Sequence, residues 1–336
     1  MMKHRFHRAL ALQLTALAVV AACLPACGED ATGPADSSAA TDTAATADSS
    51  AAAGDAGSTD AGADDVAACD PKKAPATVGG KRPAEVFVPK AWDGCKKWPL
   101  IILLHGYGAS GSLQNAYLGV GARVDKHGFV LVLPDGTEAA NGKRFWNATD
   151  FCCDFYKQGI DDVAYITGLI DEAKAKLSID PSRIYLLGHS NGGFMSYRMA
   201  CEKPELIAGV ASLAGAVTNT ESFCTPDRAV NVLQMHGTND KTIKYAGTNQ
   251  YPGAEVATSR WVGLNSCKGI PVTSAPIDYD PTVKGPETTR KVWSGCKEET
   301  NVTLWKMEKS GHIPLVNDAF RDAMLKHILA WRRTGK

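Results

Sequence analysis

The stretch Ile184-Tyr185-Leu186-Leu187-Gly188-His189-Ser190-Asn191-Gly192-Gly193-Phe194-Met195 constrains this chain more than any other. An apolar, strand-like run ends in Gly-x-Ser-x-Gly and passes at once into a helical pattern, the sequence context of a nucleophile elbow. A serine on so sharp a turn sits in strained backbone, and side chains at 188 and 192 would clash with the neighbouring strand and helix. The turn is expected to lift the Ser190 hydroxyl above a sheet. It also places the Asn191 N–H at a helix N-terminus, where negative charge is favoured. Gly-x-Ser-x-Gly alone is a common string; the agreement of strand, turn and helix separates it from an ordinary serine turn.

Short apolar runs alternate with helical spacing on both sides of this element. Ala84 to Val88 reads as an edge strand stopped by Pro89. Leu100–Leu104, Phe129–Leu133, Ala208–Ala214 and Val230–His236 have the length and composition of strands buried on both faces. Helical patterns run from about Ser112 to Lys126, Ile160 to Leu177, Gly253 to Leu264 and Val316 to Arg332, and two further strands fall near 288–293 and 302–307. Residues 271–286, rich in proline, read as loop. The alternation predicts an α/β fold: a mainly parallel sheet with helices on both faces and right-handed crossovers. In such sheets the site lies beyond the carboxyl ends of the strands. His105, Ser190, Asp240 and His312 all follow predicted strands, so they are expected at one edge.

Ser190 needs a base within hydrogen-bond reach to act as a nucleophile. His312, in a small-residue loop after the last strand, is the expected base, and Asp240 the acid that orients it. The chain order Ser…Asp…His supports both assignments. Asp227 and Asp278 are reserves for the acid. His127 and His327 lie in helical patterns and read as surface or packing residues, and His236 as a satisfied core histidine. His189 is expected to be structural and to point away from Ser190. Oxyanion stabilisation calls for two N–H donors. Asn191 supplies one, and the loop His105-Gly106-Tyr107-Gly108 the other, with Tyr107 first choice and Gly108 second; His105 is expected to order that loop. Gly136 to Arg144 resembles a phosphate loop only loosely, and Gly119-Val120-Gly121 lies inside a helical pattern, so no cofactor is called.

The amino terminus reads as an address. Lys3, Arg5 and Arg8 precede an apolar Ala9–Ala22 segment too short for a comfortable membrane span. Val20-Ala21-Ala22-Cys23 resembles a bacterial lipobox, and Leu24-Pro25-Ala26-Cys27 is a second candidate. The expectation is a signal peptide over 1–22, cleavage before Cys23 or Cys27, and a cell-envelope protein tethered by lipid, with an ordinary secretory signal as the alternative. Residues 28–68, dominated by Ala, Asp, Ser, Thr and Gly, hold no aromatic residue and no Lys or Arg. Such a segment cannot bury enough apolar surface to offset ordering and is expected to be a disordered tether, reaching roughly 35 Å. The catalytic domain then spans 69–336.

The chain has 36 Lys+Arg and 36 Asp+Glu, but residues 1–70 hold three basic and ten acidic residues, leaving 33 against 26 downstream. No basic block is dense enough for a nucleic-acid groove. Eight cysteines follow the address: Cys69, Cys95, Cys152, Cys153, Cys201, Cys224, Cys267 and Cys296. An even number in an exported protein points to four disulfides. Cys267 with Cys296 and Cys69 with Cys95 are the expected pairs, whereas adjacent Cys152 and Cys153 are expected to reach separate partners. No Cys-x-x-Cys or His-Glu-x-x-His is present, so no metal site is called.

Several of these segments together carry a resemblance to a family. They are His105-Gly106-Tyr107, Cys152-Cys153, Gly159-Ile160-Asp161-Asp162-Val163, Asp180-Pro181-Ser182-Arg183-Ile184-Tyr185, the elbow through Ala200-Cys201-Glu202, and His236-Gly237-Thr238-Asn239-Asp240. Over roughly residues 80 to 315 the chain resembles the secreted polyhydroxybutyrate depolymerase and feruloyl esterase group of α/β-hydrolases (carbohydrate esterase family 1 type). The resemblance implies Ser190, Asp240 and His312 as the triad, Tyr107 and Asn191 as oxyanion donors, and an ester substrate on a polysaccharide or polyester. One departure is visible: the group often has Trp-Pro-Gly after its histidine, where this chain has Ile313-Pro314-Leu315. The expected protein is a monomeric serine carboxylesterase. A serine peptidase of the same fold, or an inactive surface binding protein on the same scaffold, are the competing classes; peptide substrates would reveal the first and failure to label Ser190 with a fluorophosphonate the second.

Overall fold

The computed structural model describes residues 73–334. The expected signal peptide, tether and Cys69 lie outside the described residues. In chain order the strands are β1 (Thr77–Val78), β2 (Ala84–Phe87), β3 (Trp98–Leu104), β4 (Val130–Leu133), β5 (Thr137–Glu138), β6 (Arg144–Phe145), β7 (Ile179–His189), β8 (Gly209–Leu213), β9 (Asn231–Gly237), β10 (Val272–Thr273), β11 (Thr288–Trp293) and β12 (Val302–Met307). The helices are α1 (Gly111–Leu118), α2 (Val124–His127), α3 (Asp162–Lys176), α4 (Asn191–Glu202), α5 (Ala254–Leu264) and α6 (Asp318–Leu329).

Ten strands form one sheet in the order β1-β2-β4-β3-β7-β8-β9-β12-β11-β10, and β5 pairs separately with β6. The six from β4 to β12 are parallel, with antiparallel strands closing both edges. Side chains alternate across the sheet as the period of two requires. Leu100, Ile102 and Leu104 join the layer packed under α3, α4 and α5, while Ile101 and Leu103 join the layer under α1 and α6. With both faces covered, β3, β8 and β9 are buried throughout. This is the α/β-hydrolase fold expected from the sequence.

Some boundaries differ. The helix expected over Ser112–Lys126 ends at Leu118, because Gly119 adopts a left-handed φ of 61° and donates its N–H to the Asn115 carbonyl. That is a glycine C-cap, and only a 3-10 turn over Gly121–Arg123 and the short α2 follow before β4. Asp161 caps α3 by accepting from the Ala164 N–H, and Asn317 caps α6 through the Phe320 N–H, so both helices start two residues later than the pattern suggests. The proline-rich 271–286 loop contributes the small edge strand β10.

Cys267 and Cys296 are bonded as expected. Cys95 is disulfide-bonded, and its expected partner Cys69 lies outside the described residues. The expectation for Cys152 and Cys153 is corrected: they are joined to each other. Cys201 and Cys224 pair together, and the loop turns both adjacent sulfurs inward. In that turn the Cys152 N–H donates to the Thr149 carbonyl and the Cys153 N–H to the Trp146 carbonyl, which leaves both cysteines buried.

Candidate active site

The elbow is built as its glycines demand. Ser190 sits between β7 and α4 at φ 54°, ψ −120°, a conformation that non-glycine residues hold only when their surroundings enforce it. A Cβ at position 188 would lie 2.1 Å from the Gly192 carbonyl oxygen, and one at 192 would lie 2.2 Å from that of Leu104. Both distances are far inside contact, so strand, turn and helix approach this closely only with glycine. The Ser190 N–H donates to the Leu213 carbonyl at 2.8 Å, and the Ser190 carbonyl accepts the Phe194 N–H that opens α4.

The sheet brings three side chains to this point. Ser190 follows β7 directly, Asp240 lies three residues beyond β9, and His312 lies five beyond β12. His312 Nε2 stands 3.0 Å from Ser190 Oγ, and its Nδ1 stands 2.8 Å from Asp240 Oδ2. The other carboxylate oxygen of Asp240 accepts the N–H groups of Thr242 and Ile243, each at 2.8 Å. Burial alone would raise the Asp240 pKa, but hydrogen bonds from His236, His312 and the Ile243 N–H outweigh it and hold the carboxyl well below the usual range. It is therefore an anion at neutral pH, able to fix the His312 tautomer with its hydrogen on Nδ1. Among the described residues neither reserve, Asp227 or Asp278, hydrogen-bonds to His312.

Of the candidate oxyanion donors in the loop and elbow, the N–H groups of Tyr107 and Asn191 make no backbone hydrogen bond among the described residues. Gly108, the second choice, is excluded because its N–H is committed to the Arg144 carbonyl at 2.8 Å. His105, directly after β3, orders the loop as expected. Its Nδ1 donates to the Gly106 carbonyl at 2.8 Å and its Nε2 accepts the Gly136 N–H at 2.9 Å. Burial lowers its pKa, which keeps the ring neutral in that arrangement. Tyr107 itself packs edge-on against Phe155 at 5.3 Å, and its hydroxyl accepts from Asn141 Nδ2.

Two histidines play parts that the sequence did not disclose. His189, expected to be structural, packs its ring 5.0 Å from that of His312, and its Nε2 donates to the His312 carbonyl at 2.9 Å. Burial, reinforced by the neighbouring His312, lowers its pKa to about 4, so it is a neutral prop for the His312 loop. His236 is the buried histidine expected, but its Nε2 also lies 3.2 Å from Asp240 Oδ2. After His312, Tyr117 donates its hydroxyl hydrogen to the Pro314 carbonyl at 2.8 Å, while Ile313 and Leu315 stay exposed.

A serine, histidine and carboxylate in line at the carboxyl edge of this sheet is the arrangement of an α/β-hydrolase. Residues 93–251 match the family described as Phospholipase/Carboxylesterase, a span that holds Ser190 and Asp240 and ends before His312. The chain is 27% identical to feruloyl esterase B of Piromyces equi over 240 residues, 68% of this chain and 42% of that protein. It is 29% identical to poly(3-hydroxyalkanoate) depolymerase C of Paucimonas lemoignei over 197 residues, 55% of this chain and 44% of that one. The chain thus spans under half the length of these curated relatives. The acetyl xylan esterase of Aspergillus awamori shares the fold, with a TM-score of 0.55 at 15% identity over 73% of this chain and 94% of that one.

Proposed function

We propose that this chain is a serine carboxylesterase acting on feruloyl or other aryl esters of polysaccharide, or on short hydroxyalkanoate esters. The observation that carries the reading is the unbroken line from Ser190 Oγ through both nitrogens of His312 to Asp240 Oδ2. In the first step Ser190 Oγ attacks the ester carbonyl while His312 Nε2 takes its proton. Asp240 stabilises the imidazolium so formed. The carbonyl oxygen becomes an oxyanion between the N–H groups of Tyr107 and Asn191, the latter at the positive end of α4. Collapse expels the alcohol, which takes the proton from His312. Water, deprotonated by the same nitrogen, then attacks the acyl-serine and releases the acid, restoring Ser190.

The relatives named for feruloyl ester and poly(3-hydroxyalkanoate) cleavage support the substrate classes. Ser190→Ala tests the mechanism: hydrolysis of a para-nitrophenyl ester should fall by roughly four orders of magnitude or more with the circular dichroism spectrum unchanged. Retained hydrolysis would overturn it. A panel of feruloyl, acetyl and hydroxybutyrate esters then selects the substrate. The reading includes export and lipid attachment at Cys23 or Cys27, supported by the lipobox-like residues there; failure of labelled palmitate to enter the protein in cells would remove that part alone.

A further inference from the structure

Asp240 Oδ2 is shared by two imidazoles. His312 Nδ1 approaches at 2.8 Å and His236 Nε2 at 3.2 Å. His236, on β9, is 1% exposed, and its hydrogen can be located by elimination. The Gly215 carbonyl can only accept, so the amide lying 2.9 Å from it is the nitrogen end of Gln234. That same Nε2 faces His236 Nδ1 at 3.0 Å, while Gln234 Oε1 accepts the Tyr197 hydroxyl at 2.8 Å. An amide nitrogen has only hydrogens to offer, so Nδ1 is the acceptor and the hydrogen of the neutral ring sits on Nε2. There it donates to the Ile243 carbonyl, 2.8 Å away, with Asp240 Oδ2 also within 3.2 Å.

We propose that His236 is a positioning residue for the ester-cleaving site: its Nε2–H draws charge from Asp240 Oδ2 and fixes the carboxylate towards His312, setting the pH at which His312 becomes a working base. This rests on the hydrolase reading above. The charged and titratable neighbours are few. Asp240 faces both histidines and the Thr242 and Ile243 N–H groups. His236 meets the edge of Tyr245 at 5.7 Å. The Tyr245 hydroxyl donates to Glu255, and Lys306, paired with Glu308, lies 5.8 Å over the Tyr245 ring. His189 lies beside His312. Of these side chains, His312 and His236 approach the carboxylate most closely, at 2.8 and 3.2 Å.

The test compares the pH dependence of kcat/KM on para-nitrophenyl acetate for the wild type, His236→Phe and His236→Gln. Phenylalanine keeps the ring shape without the donor; glutamine can return an N–H near the Nε2 position. With the donor gone, Asp240 keeps more charge for the His312 imidazolium. His236→Phe should therefore move the acid limb up by roughly half a pH unit and lower kcat about tenfold, with KM little changed. His236→Gln should restore most of both. Folded variants that retain the wild-type acid limb would overturn the proposal. Should His236→Phe not fold, nitrogen-15 spectra of the wild type decide: an Nε2–H tautomer held throughout the active pH range supports it, and an Nδ1–H tautomer overturns it. Activity surviving Ser190→Ala would instead sink the hydrolase reading, so the two failures are separable.

Discussion

The carboxamide of Asn191 and the backbone of Trp146 exchange two hydrogen bonds: Trp146 N–H to Oδ1 at 2.8 Å, and Nδ2 to the Trp146 carbonyl at 2.9 Å. One residue thus serves two purposes. Its N–H opens α4 beside Ser190, while its side chain grips the 146–153 loop. The pair is buried, so water cannot replace either bond. Asn191→Ala would leave the Trp146 N–H unsatisfied, at a cost of about 1–3 kcal/mol, while the Trp146 carbonyl keeps the Cys153 N–H at 3.2 Å. The expected loss of stability is about 1–3 kcal/mol by urea unfolding, accompanied by a lower kcat. A variant as stable as the wild type would show that the loop holds itself.

The site was legible where backbone chemistry leaves a mark in residue type. Gly188 and Gly192 are required by approaches that no side chain survives, and buried parallel strands show as unbroken apolar runs whose ends place Asp240 and His312. What could not be read depends on which distant groups a fold brings together. Nothing local in His189 or His236 says that one will hold the His312 carbonyl and the other Asp240. The Cys152–Cys153 bond follows from a turn made by Thr149 and Trp146 backbone groups, for which spacing offers no sign. The break at Gly119 was the reverse case: the glycine was visible, but the apolar spacing continued through it.

Two glycines give opposite predictions for the same substitution. A methyl group at Gly192 would meet backbone atoms of both Leu104 and His105, the nearest at 2.2 Å, so β3 or α4 must move. Gly192→Ala is expected to cost several kcal/mol, on the order of an overpacked core, and to abolish activity. Gly168, exposed on α3, has no atom within 4 Å of its would-be Cβ. Gly168→Ala should gain up to about 1 kcal/mol from helix propensity and leave kcat untouched. Thermal denaturation of the two proteins side by side checks both.

Acid should weaken the fold in two separate windows. Burial lowers the pKa of His189, and of His327 beneath Trp305, from 6.5 to about 4. A histidine depressed in the folded state takes up its proton more readily when unfolded. Its contribution is therefore full above pH 6.5 and lost as pH falls towards 4, by at most about 3 kcal/mol for each residue. Asp240 acts later: its carboxyl is held below the ordinary range, so its contribution declines only below about pH 4. His327→Gln cannot take up a proton and can still meet Thr303, its partner at 3.1 Å. Its melting temperature should fall less than the wild type's between pH 6.5 and 4. Parallel curves would exclude His327 as a source of acid sensitivity.

The disulfides should rank in opposite orders for stability and for activity. Cys267–Cys296 spans a sequence separation of 29, and Cys152–Cys153 a separation of 1. In the chain-entropy account a crosslink stabilises by restricting the unfolded chain, about 3 kcal/mol for loops of this longer kind. A bond between neighbours restricts almost nothing. Replacing Cys267 and Cys296 with serine is thus expected to lower stability by about 3 kcal/mol with little effect on kcat, since that pair does not touch the site. Replacing Cys152 and Cys153 should barely shift the denaturation midpoint. It should lower kcat/KM nonetheless, because Cys152 Sγ lies 3.4 Å from Asn191 Nδ2, the same nitrogen that grips the Trp146 carbonyl. Faster hydrogen exchange at the Trp146 N–H in that variant would trace the loss to this contact. An unchanged kcat/KM would mean that the Asn191–Trp146 pair holds the loop without help from sulfur.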